Sequence, residues 1–116
     1  MHDKEGRFSV PHVTDNPTSS RFELTDDDGT LIGYLDYRRH ENEYALPHTK
    51  IDPRFEGRGH GATLVCGALD EIAVRGGTVL PYCPFVPKVI RDHPRFVALV
   101  PEAQRAAFGL TDVNQG

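Results

Sequence analysis

The sequence has no tryptophan, one methionine and two cysteines. Cys66 and Cys83 form no Cys-x-x-Cys pair, which argues against a disulfide framework or a structural zinc site. Positive charge is not in surplus: 13 Lys and Arg stand against 17 Asp and Glu, a net −4. That balance disfavours nucleic acid or an anionic membrane as partner. No apolar run approaches the roughly 20 residues that span a bilayer. The opening "MHDKEGRFSVPH" is polar and lacks the apolar region of a signal peptide. The expectation is a cytoplasmic protein, monomeric or weakly dimeric, in a reducing compartment. What remains is a chain of 116 residues, 38% apolar and 26% charged, enough for one domain with a modest core.

Residues 1–19 carry Pro11, Pro17, Asp15, Asn16, Thr18 and Ser19 without periodicity, and are predicted to be a flexible arm, with at most a short pairing segment. Residues 20–110 read as the folded domain and 111–116 as a tail. "RFEL" (21–24) and "LIGYLDYRR" (31–39) flank the turn "TDDDGT", a β-hairpin signature. "EYAL" (43–46) and "HTKI" (48–51) read as two further strands divided by Pro47. The period then changes. Val65, Ala68, Leu69 and Ile72 recur at helical spacing, and Gly76-Gly77 supplies a left-handed exit. "TVLPYC" (78–83) reads as a strand, "PFVPKVIRDH" (84–93) as a short helix, "RFVALV" (95–100) as a last strand and "EAQRAAF" (102–108) as a helical turn. This order implies a mixed α/β domain without internal repeats.

The most informative segment is "DPRFEGRGHGATLVCGALDEIA". Gly57, Gly59 and Gly61 lie between a strand and an amphipathic helix. Glycines there admit a ligand close to the backbone, and the free N–H groups and positive dipole of a helix start suit a phosphate. A tight turn without any ligand uses the same residues. No Gly-Lys-Ser/Thr follows, so a P-loop NTPase is excluded. The preceding strands form hairpins and not a βαβ unit, which argues against a dinucleotide-binding fingerprint.

The stretch "HTKIDPRFEGRGHGATLVCGALDEIAVRGGTVLPYCPFVPKVIRDHPRF" resembles the small Gcn5-related N-acetyltransferases, in particular their minimal single-domain subgroup. That subgroup has a His-Thr strand, a Gly-x-Gly-x-Gly loop, a helix and a "vPyCpFv…i..HP.f" tail. The resemblance covers about residues 21–100. It implies an acetyl-CoA-binding fold whose loop amides cradle the pyrophosphate, with the pantetheine between two splayed parallel strands, here 48–51 and 78–82. Ile51, Arg54, Gly57, Arg58, Gly59, His60, Gly61, Ala62, Pro81 and Tyr82 are the residues it nominates for CoA. Glu56 occupies the Gln/Arg position of the family loop, a departure, since a carboxylate repels a pyrophosphate. Arg54 or Arg58 would compensate.

Cys83 and His48 are the candidate catalytic residues. The resemblance puts Cys83 at the mouth of the pantetheine slot, and a helix start behind it favours thiolate. Small apolar filler is the other use of a free cysteine. His48 opens the facing strand, where a group with a near-neutral pKa suits a general base or caps the sheet edge. No tyrosine follows Tyr82, so the last-helix tyrosine that protonates the CoA thiolate in many relatives has no counterpart. The expected function is acetyl-CoA-dependent acetyl transfer to an amine acceptor, by direct attack or through an acetyl-cysteine. The alternative is a non-catalytic CoA-binding or acyl-CoA-binding module. No metal is expected.

Overall fold

The computed structural model describes residues 10–111. Five strands form one sheet in chain order: β1 (His12–Asn16), β2 (Arg21–Thr25), β3 (Leu31–His40), β4 (Glu43–Ile51) and β5 (Thr78–Leu80). The first four run antiparallel as a meander, and β5 pairs parallel to β4. The helix α1 (His60–Val74) makes the crossover between β4 and β5, as parallel neighbours require. A second helix, α2 (Phe85–Asp92), follows β5.

The core lies between one face of the sheet and the helices. Phe22 and Leu24 of β2, Leu35 of β3, Tyr44 and Leu46 of β4 and Val79 of β5 are all buried. They meet Leu64, Val65, Ala68, Leu69 and Ile72, the expected stripe of α1. Gly67 lets that helix close on β1: a Cβ there would sit 2.5 Å from Val13 Cγ2. At the far end of α1, Arg75 donates to the Tyr44 hydroxyl at 3.1 Å and pairs with Asp15 at 3.0 Å and Glu71 at 3.1 Å. The Tyr37 hydroxyl donates to the same Asp15 at 2.8 Å. This network ties the helix end to three strands. Among the described residues no buried side-chain polar atom lacks a partner.

The short pairing segment allowed for in the arm is present, and three expectations are corrected. Residues 12–16 of the expected arm form the edge strand β1, held by the 21–25 ladder and by Gly67. Residues 1–9 of that arm and 112–116 of the tail lie outside the described residues. The two strands expected at 43–46 and 48–51 are one, β4, carrying an irregularity where Asp36 faces His48 but Arg38 faces Ala45. Leu46 and Pro47 thus share Tyr37 as neighbour, a β-bulge at a residue that has no N–H for the ladder. The strand expected over 78–83 stops at Leu80. Residues 94–99 form a 3-10 helix and not a strand. Pro94 presets its first turn, and the buried Phe96, Val97 and Val100 follow helical spacing, not alternation.

Candidate functional site

The parallel pairing of β4 and β5 covers only residues 43–45 with 78–80. One more bond, from the Cys83 N–H to the Leu46 carbonyl at 2.8 Å, closes the seam. Beyond it the two chains part: β4 continues to Ile51 while the other segment turns through Pro81 and Tyr82 into α2. A cavity of about 490 Å³ opens in this fork. Thr49 and Ile51 line it from β4, and residues 55–57 and 59–62 from the glycine loop and the start of α1. Phe85, Lys88, Val89 and Asp92, one face of α2, complete it.

The loop is built by local rules. Asp52 caps a 3-10 turn by accepting from the Arg54 N–H at 2.9 Å, and its carboxylate also holds the Arg54 guanidinium at 3.0 Å. That pairing holds the Asp52 carboxyl below the usual carboxylate range. Gly57 and Gly59 adopt left-handed backbone, φ 81° and 80°, which favours glycine. Gly59 is the N-cap of α1 and no side chain caps the helix. The first bond of the helix runs from the Thr63 N–H to the Gly59 carbonyl, 3.2 Å. The amides of His60, Gly61 and Ala62 therefore precede the ladder, in residues that line the cavity. Gly61 serves a different need: a Cβ on it would lie 2.9 Å from the Phe85 ring. An uncapped helix start and two left-handed glycines thus open into a fork lined by both apolar and charged side chains, and free first-turn amides of this kind suit an anion.

Of the nominated CoA residues, Ile51, Gly57, Gly59, His60, Gly61 and Ala62 line the cavity. Arg54 does not; it is held by Asp52 and lies over the Phe55 ring at 5.1 Å. Arg58 turns to a neighbouring hollow of about 310 Å³ with Asp26 and Phe55. Pro81 is buried behind the seam, and Tyr82 is 58% exposed, packed edge-on to Phe108 at 5.4 Å. Neither Arg54 nor Arg58, the residues expected to compensate Glu56, lines the cavity that Glu56 lines; Lys88 does, 3.8 Å from Asp92. Sequence reasoning missed Lys88, though residues 85, 88, 89 and 92 fall on one helical face, which is the signal that finds it.

The two candidate catalytic residues are not brought together. Cys83 is 7% exposed and stands behind the wall, its Sγ 3.3 Å from the Oγ1 of the lining residue Thr49. It is one residue before the α2 N-cap, Pro84, as expected. His48 is on the other face of the sheet. The bulge turns both Pro47 and His48 outward before Thr49 and Ile51 return to the cavity side. There the His48 Nδ1 faces the Asp36 carboxylate at 3.5 Å. Cys66, half-buried on α1, has its thiol pushed up by burial.

A meander joined by one helix to a diverging parallel strand, with an uncapped helix start in the fork, is the fold of the acyl-CoA N-acyltransferases. The GCN5-related N-acetyl-transferase family model matches residues 21–99, and the chain belongs to that family. Among solved structures, a GCN5-like putative N-acetyltransferase from Staphylococcus aureus superposes with a TM-score of 0.58 at 16% identity, over 78% of this chain and 87% of that one. The GNAT family N-acetyltransferase YhbS from Escherichia coli, in complex with CoA, superposes with a TM-score of 0.50 at 17% identity, over 68% of this chain and 64% of that one. At these identities the likeness is one of fold. Comparison with curated proteins yields no match. No helix among the described residues is long and apolar enough to cross a membrane.

Proposed function

We propose that the protein binds acetyl-CoA in the fork between β4 and the segment following β5, and transfers the acetyl group to a primary amine. The observation that carries this reading is the uncapped start of α1. Its left-handed Gly59 and free first-turn amides open into the 490 Å³ cavity. The loop amides would hold the pyrophosphate, with Lys88 adding charge, and Ile51, Phe85 and Val89 would pack against the thiol arm. In the reaction the amine nitrogen bonds to the acetyl carbon and the carbon–sulfur bond breaks. One proton leaves the amine and the CoA sulfur ends as a thiol. Direct attack is favoured over an acetyl-cysteine because Cys83 is nearly buried and lies behind Thr49. His48, outside the cavity and beside β4's unpaired edge, is the proton acceptor in this reading.

The same burial of Cys83 supports a second reading, a CoA-binding module without turnover. Calorimetry with CoA and acetyl-CoA, on the wild type and Gly59→Val, tests the site. The left-handed glycine has to change conformation in the variant, so CoA affinity falls more than tenfold, about 1.4 kcal/mol. Unchanged affinity in a folded variant removes the site from this loop. Product formation with an amine panel then separates enzyme from binding module.

A further inference from the structure

His48 and Thr49 are adjacent on β4 and face opposite sides of the sheet, at a stretch of strand with no β5 partner. The outer side is not flat. The bulge at Pro47 borders an open groove of about 560 Å³, bounded by Ser19 and Ser20 before β2 and by Asp36 and Arg38 of β3. Asp36 and Arg38 are two residues apart on one strand and share its outer face, on either side of the buried Tyr37. Their Cα atoms are therefore separated by about 6.5–7 Å. The groove thus presents the Asp36 carboxylate and the Arg38 guanidinium from neighbouring positions of one face, with Arg39 a second arginine in its lining.

The pairing pattern makes this spacing informative. Arg21, across the ladder from Asp36, is bound to Glu23 at 2.8 Å and lies over Tyr34. Arg39 donates to the Glu41 carbonyl at 2.7 Å and lies over Tyr44. The Arg38 side chain, by contrast, makes no hydrogen bond or ion pair among the described residues, although Asp36 is on its own strand face. Asp36 instead faces His48, and both side chains keep solvent access, 38% and 54%. An exposed guanidinium is a bidentate partner for a carboxylate. A half-exposed carboxylate beside an imidazole holds an ammonium and places a proton acceptor next to it.

We infer that this groove is the acceptor site, and that the acceptor is a small amine bearing a carboxylate, an amino-acid-like zwitterion. Its ammonium is held at Asp36 and its carboxylate at Arg38. The inference rests on the acetyl-transfer reading and names its substrate class. His48 takes the proton that the ammonium must lose before nitrogen attacks. The N–C bond then forms as the C–S bond breaks across the unpaired edge of β4; the second proton that nitrogen sheds in this step ends on the CoA sulfur, and the first returns to solvent from His48. A groove of a few hundred Å³ has the size of a small-molecule site and not of a protein interface.

The test pairs binding with turnover. Amino acids with their amine and carboxylate at increasing separation, together with their carboxamides, are titrated into the CoA-saturated protein and followed by backbone amide shifts. The acids are expected to shift residues 19–20, 36–38 and 47–48, and to bind at least tenfold more tightly than the amides. Arg38→Gln is expected to abolish that difference with CoA affinity retained, and Arg38→Lys to restore part of it. In acetyl-transfer assays the same preference appears in KM. Equal binding of acid and amide, shifts elsewhere, or a preference that survives Arg38→Gln overturns the inference even if amines are acetylated. Acids that bind in the groove and are never acetylated support the docking chemistry and overturn acetyl transfer itself.

Discussion

The Oγ1 of Thr49 and the Sγ of Cys83 are 3.3 Å apart, joining β4 to the approach of α2 just beyond the last backbone bond of the parallel seam. The contact occupies the thiol and keeps it behind the cavity wall, so the protein is expected to transfer acetyl groups without a covalent intermediate. Cys83→Ala should lower amine acetylation by less than tenfold. Intact mass after incubation with acetyl-CoA alone should show no hydroxylamine-sensitive acetyl group. Detection of that group on Cys83, or loss of turnover in the alanine variant, assigns the covalent route.

Lys88 and Glu56 face the same cavity with opposite charge. Lys88→Ala is expected to weaken CoA about fivefold, near 1 kcal/mol for an exposed charge, and the effect should shrink with added salt. Glu56→Gln should strengthen binding by a similar factor. Calorimetry at two salt concentrations checks both, and the opposite signs exclude a general loss of fold.

Gly67 packs against Val13 with no room for a methyl group, the nearest atom lying 2.5 Å from a hypothetical Cβ. Gly67→Ala should therefore destabilise by about 1–3 kcal/mol through overpacking, despite alanine's better helix propensity. Val13→Ala in the same chain should recover part of the loss, because it removes the methyl at 2.5 Å while leaving the Val13 Cβ at 2.9 Å. Urea unfolding of the four variants of the cycle measures the coupling; strictly additive effects would show that β1 does not rest on this helix.

Burial, with the hydrogen bond to Asp15, pushes the Tyr37 phenol up to about 12 from its ordinary 10.0. An unfolded chain ionises near 10, so above that pH it binds fewer protons than the folded one. Stability due to this group is intact below pH 10 and is lost as pH rises from about 10 to 12, at up to about 1.4 kcal/mol per pH unit. Tyr37→Phe should flatten this alkaline limb while costing about 1 kcal/mol at neutral pH through the lost bond to Asp15. Denaturation curves at pH 8, 10 and 11 make the comparison, and an unchanged alkaline slope in the variant would assign it to other groups.

The hairpin of residues 21–39, the helix stripe through Val65, Ala68, Leu69 and Ile72, and the glycine loop before it were legible in the sequence. Each is a local pattern, set by side-chain period or by the φ that a glycine permits. Those elements sufficed to nominate the helix start as an anion site. The sequence did not reveal the inventory of charges around it. Arg54 is held by Asp52, Arg58 points to another hollow, and Lys88 arrives from a helix placed by tertiary packing.

Nor does the sequence decide which side of the sheet His48 faces. Alternation through Tyr44 and Leu46 puts His48 inward with Cys83. One extra residue opposite Tyr37 shifts the phase and sends it outward to Asp36. The residue types, their periods and their backbone preferences belong to the chain itself. The phase of a strand belongs to its pairing with a neighbour, and a bulge of one residue exchanges the two faces of everything after it.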